Sequence, residues 1–60
     1  MDPRLEKYLL TEEFQLVIRP SNDMPNFFYA ELTEIGYDFP DFEGNGETPQ
    51  AALDDLLSQL

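Results

Sequence analysis

Cysteine and histidine are both missing from the 60 residues, and so is tryptophan. Without thiols no disulfide can cross-link the chain, and without thiolate or imidazole the ordinary Zn, Fe and Cu donor sets cannot form. The same gap removes the usual bases of nucleophilic catalysis. Ser21, Ser58 and the threonines carry hydroxyls, but no imidazole is present to activate them. Cations are nearly as scarce: Lys and Arg total 3 against 13 Asp and Glu, a formal net charge of -10. Such a field repels phosphate backbones and attracts a basic protein, so direct nucleic-acid binding is not expected. Long apolar runs are absent too. The opening Met1-Asp2-Pro3-Arg4-Leu5 has no basic segment followed by an apolar one, and the expectation is a soluble, cytoplasmic protein with no membrane partner.

Hydrophobic residues, by contrast, make up 42% of the chain and include five Phe and three Tyr. This is not the composition of a disordered acidic tail. One small domain is expected, and a chain of this length buries only about 60% of its unfolded surface. With neither disulfide nor metal to add stability, self-association or a partner is the expected supplement, and a homodimer is the expected state.

Asp2 before Pro3 is an N-cap and N1 pair, and Leu5, Tyr8 and Leu9 recur at helical spacing up to Leu10. From Phe14 to Arg19 the pattern alternates: Phe14, Leu16 and Ile18 share one face, Gln15, Val17 and Arg19 the other. Pro20 ends that strand. Ser21 to Pro25 has turn chemistry, and Asn26 to Thr33 reads as a second strand, antiparallel to the first, with Phe28, Ala30 and Leu32 on one face and Phe27, Tyr29 and Glu31 on the other. An irregular third strand is expected around Phe39 to Glu43, confined by Pro40 to an edge or a bulge, with Gly44-Asn45-Gly46 as a flexible turn. Thr48 as N-cap and Pro49 at N1 then open a helix through Leu60, with Ala52, Leu53, Leu56, Leu57 and Leu60 in one apolar stripe.

The predicted class is therefore α+β in αβββα order, a small three-stranded antiparallel sheet with the C-terminal helix on one face. Leu16, Ile18, Phe28, Ala30 and Leu32 are assigned to the covered face. Val17, Phe27 and Tyr29 fall on the other, among Gln15, Arg19 and Glu31. Two covers for that second face stand side by side: the first helix through Leu5, Tyr8 and Leu9, or a partner, which includes a second copy of the chain.

The acidic stretch Asp41-Phe42-Glu43-Gly44-Asn45-Gly46 resembles the first half of a calcium loop, but the twelfth position, which needs a bidentate Glu, is Ala52. The first strand has no acid between Phe14 and Arg19, so two-metal nuclease chemistry lacks its central carboxylates. Gly44-Asn45-Gly46 before a helix is flanked by Glu43 and Glu47 without a Lys or Arg to hold a phosphate. No cofactor and no metal are expected, and an enzyme is not.

Two segments carry a family likeness: Asn26-Phe27-Phe28-Tyr29-Ala30-Glu31-Leu32, and Gly46-Glu47-Thr48-Pro49-Gln50-Ala51-Ala52-Leu53-Asp54-Asp55-Leu56-Leu57. Together they resemble the HicB-like antitoxin domain, in which a strand with a Tyr/Val-Ala-Glu core leads through a Gly-containing connection to a Gly-Asp/Glu-Thr helix start. The resemblance spans roughly Phe14 to Leu60, with residues 1–11 as a helical extension, and implies a partial RNase H fold without nuclease carboxylates. It departs from the family pattern at Thr33 to Pro40 and at Ala51, where the family has Glu. No DNA-binding segment follows Leu60, so a stand-alone short form is expected.

The resemblance implies a non-enzymatic acidic module that neutralises a basic protein, in the antitoxin case a HicA-like mRNA endonuclease toxin. Val17, Phe27, Tyr29, Glu31 and Glu34 are the expected partner-binding residues. A second reading from the same charge is a viral inhibitor or nucleic-acid mimic, whose carboxylates occupy a phosphate-binding groove.

Overall fold

In the computed structural model, which describes residues 1–60, both helices start where the sequence sets a capping side chain before a proline. Helix α1 (Pro3–Leu10) is capped by Asp2, whose Oδ1 accepts from the Arg4 N–H at 2.8 Å. Helix α2 (Pro49–Leu57) is capped by Thr48, whose Oγ1 accepts from the Ala51 N–H at 3.0 Å. Each cap satisfies one of the donors that a helix start leaves free. Between the helices run strands β1 (Phe14–Pro20), β2 (Phe28–Glu34) and β3 (Phe42–Gly46). The expected αβββα order is the order observed.

The strands form one antiparallel sheet in the order β1-β2-β3. Its register sets Leu16 beside Leu32 and Phe42, and Ile18 beside Ala30 and Gly44. Alternation then carries Gln15, Val17, Arg19, Tyr29, Glu31, Thr33, Glu43 and Asn45 to the opposite face. The core lies on the first face. Leu5, Ala30, Leu32, Ala52 and Leu56 are at most 2% exposed, with Tyr8, Phe14, Phe28, Phe42, Leu53 and Leu57 packed around them.

The third strand lies further along the chain than expected. Phe39 to Asp41 belong to the loop, and Gly44-Asn45-Gly46, expected as a turn, lies within β3. Helix α2 rests directly on this strand. A Cβ on Gly44 would collide with the Ala52 carbonyl oxygen and the Leu56 amide, and one on Gly46 would come within 2.6 Å of the Ala51 Cβ. The glycines serve close approach of helix and strand here, not a turn.

Helix α1 also corrects an expectation. It does not cover the second sheet face; it joins α2 on the first, where Leu5 enters the core and Tyr8 meets Phe14 and Phe42 edge-on at 5.2 and 5.8 Å. Thr11 caps the helix and Glu12, at φ +64, takes the left-handed conformation that turns the chain back into β1. Residues 1–11 are thus part of the hydrophobic unit. Ile18, assigned to the covered face, has that orientation but stays 40% exposed at the far end of β1.

Helix α2 is shorter than expected and ends at Leu57. The Gln59 and Leu60 N–H groups each donate three residues back, to Leu56 and Leu57, so the last turn tightens while Leu60 still packs on the core. With both helices in one layer, the Cα framework is only 14 Å in its shortest dimension, room for a sheet and a single helix layer. No helix is long and apolar enough to cross a membrane.

Candidate partner-binding surface

Strand alternation delivers Val17, Tyr29 and Glu31 to the uncovered face, and the β1–β2 register places Val17 beside Glu31 and Arg19 beside Tyr29. Phe27 precedes β2, and its ring lies 6.2 Å from that of Tyr29 at 76°. Edge-to-face geometry of this kind suits the aromatic quadrupoles. The Arg19 guanidinium sits 5.1 Å from the Tyr29 ring centre and donates from Nε to Glu31 Oε1 at 2.9 Å. That hydrogen bond, with the charge attraction of Glu31, raises the Arg19 pKa and holds the cation in place.

Glu43 lies directly across from Glu31 on β3. Like charges at facing sheet positions repel. Arg19 answers Glu31, whereas Glu43 has no ion pair; the molecule's other salt bridge joins Arg4 and Asp2 at the start of α1. The face therefore presents Val17 and the Phe27–Tyr29 pair beside two facing carboxylates, of which only Glu31 is ion-paired, to Arg19. No pocket indents it.

Four of the five expected residues come together there. Glu34 does not: it pairs with Phe14, and its position in the alternation is that of the helix-covered side. Two residues on from the core Leu32, strand alternation requires that side. Glu43 joins the face because β3 runs from Phe42 to Gly46, further along the chain than expected.

A further apolar surface lies in the loop between β2 and β3. Tyr37 is 67% and Phe39 83% exposed, beside a turn in which the Tyr37 N–H donates to the Glu34 carbonyl at 3.1 Å. Gly36 has φ +96, as the third residue of a type II turn requires.

No family model, curated protein or solved structure matches this chain.

Proposed function

We propose that this protein is a non-enzymatic binding module that neutralises or regulates a basic protein, acting in the cytoplasm in the manner of a HicB-like antitoxin. One observation carries the reading: a sheet face free of helices joins an aromatic pair to a carboxylate pair that is short of one cation. A Lys or Arg from a partner would answer Glu43, and an apolar side chain would cover Phe27 and Tyr29. The net charge of -10 draws such a partner in. Desolvated packing on the aromatic pair then holds it, so charge sets the rate of arrival and burial the rate of departure. In the antitoxin case the basic partner is a small mRNA endonuclease, and occlusion of its RNA-binding surface is the inhibitory act.

The test is binding kinetics with a small basic protein of the RNA-binding endonuclease type, taken from an adjacent reading frame where one is present. Tyr29→Ala is expected to raise the off-rate about tenfold or more, as loss of an aromatic anchor does. Glu31→Gln with Glu43→Gln should lower the on-rate and flatten its dependence on salt. Unchanged kinetics in both variants would remove this face from the functional account.

A further inference from the structure

The two outer edges of the sheet are not alike. On β3 the outward Asn45 N–H donates to Asp55 Oδ2 at 3.0 Å, and the outward Glu43 carbonyl accepts from the Gln59 side-chain amide. The C-terminal helical segment thus occupies that edge. On β1 the direction of each backbone group follows from the hydrogen bonds that flank the ladder. The Ile35 N–H donates to the Glu13 carbonyl at 2.7 Å, and the Ser21 N–H to the Phe27 carbonyl at 2.8 Å. Both pairs continue the β1–β2 register, so the odd-numbered residues of β1 bond to β2. Phe14, Leu16 and Ile18 must then turn their N–H and C=O groups outward. No side chain caps them.

Open edges are normally guarded by lysines, prolines, bulges or charges. From Phe14 to Ile18 the edge of β1 has none of these, and Arg19 and Pro20 stand only at its far end. It is also free of acid, in a chain with 13 acidic residues. A basic strand would find no carboxylate on it, whereas a second β1 fits it.

We propose that two copies of the chain join through their β1 strands, antiparallel about a two-fold axis at Leu16, into one six-stranded sheet. In that register Leu16 faces Leu16 of the second copy, and Phe14 faces Ile18, so the 40% exposed Ile18 gains an aromatic neighbour. The outward groups of Phe14, Leu16 and Ile18 pair in full, and Pro20, which has no N–H, stays outside. Gln15 faces Val17. At either end Glu13 faces Arg19, a pair of opposite charges. The joined sheet keeps one face bare, with two sets of Phe27, Tyr29, Glu31 and Glu43 on the same side. This interface is separate from the proposed partner face and stands without it.

Sedimentation equilibrium of the full chain tests the proposal. Wild type is expected at twice the chain mass, with association that tightens as salt screens the repulsion between two acidic molecules. Binding of a basic partner responds to salt with the opposite sign. Ile18→Pro should halve the mass while circular dichroism is retained, because the Ile18 N–H takes no part in the ladder. Should proline unfold the strand, Ile18→Lys at the same exposed position decides, with loss of the dimer expected. Since the chain has no cysteine of its own, Gln15→Cys with Val17→Cys should form an intermolecular disulfide on oxidation. A wild-type monomer at millimolar concentration would overturn the proposal. So would a dimer that survives both Ile18 variants, or one lost in Tyr29→Ala and kept in Ile18→Pro.

Discussion

Gly44 governs how closely the second helix approaches the sheet, because the backbone of Ala52 and Leu56 takes the space of its missing side chain. Its absent Cβ is a packing requirement imposed by backbone, which cannot rotate aside as a flexible side chain would. Gly44→Ala is therefore expected to destabilise the fold by about 1–3 kcal/mol or more, the range for overfilling a packed core. Chemical denaturation measures it, and an unchanged midpoint would show that helix and strand are further apart. Asp2 makes a second residue-scale case. Its side-chain hydrogen bonds with Arg4, followed by the Arg4 backbone N–H, lower its pKa from 3.8 to about 2. A folded-state pKa below the unfolded value adds stability that is complete above the unfolded pKa and is lost as pH falls through the folded one. Wild type should therefore lose stability between pH 3.8 and about 2 beyond any loss in Asp2→Asn, which keeps a capping oxygen but does not titrate. Parallel acid titrations of melting temperature check this, and superimposable curves would remove the charged cap.

Among the elements, those legible in the sequence are the ones whose local signal and tertiary role agree. Phe14 to Ile18 and Phe28 to Leu32 alternate because one sheet face is buried, and Asp2-Pro3 and Thr48-Pro49 start helices by local bonding alone. β3 was displaced because Gly44-Asn45-Gly46 has the composition of a turn, while the demand for glycine comes from a helix that contacts it across space. The side taken by α1 was hidden for a different reason. Its apolar stripe needs a surface, and both sheet faces offer one, through Leu16 and Leu32 or through Val17 and Tyr29. The turn that settles the matter uses Glu12 at φ +64, where a glycine would have been readable. In the candidate surface, Val17, Tyr29 and Glu31 follow from alternation within β1 and β2 and Phe27 from its place just before β2, whereas Glu43 depends on the register of β3. Because Leu5 lies in the core, α1 is expected to be essential to the fold: Leu5→Ala should cost about 2–5 kcal/mol. For a domain of this size, with total stability of roughly 3–9 kcal/mol, that is a large share. A thermal melt indistinguishable from wild type would reduce α1 to an appendage.

At the scale of the whole molecule, two helices in one layer leave a sheet with one dressed and one bare side, and this asymmetry underlies both proposed contacts. The bare side holds the aromatic and carboxylate pairs, and the uncapped β1 edge runs alongside it. The net charge is -10, and Arg4 and Arg19 are each held by a carboxylate of the same chain. Both helices lie on the opposite side, so nothing in the chain covers the face of Val17, Tyr29 and Glu31. The most direct measurement compares thermal melts of Val17→Lys and Leu32→Lys, two substitutions on paired strands that point to opposite sides of the sheet. Lysine at position 17 stands across from Glu31 and should leave stability within about 0.5 kcal/mol of wild type, as at other surface sites. Lysine at position 32 puts a charge into the core and should abolish the cooperative transition. Equal loss of folding in both variants would mean that the second face is covered and the sheet is not one-sided.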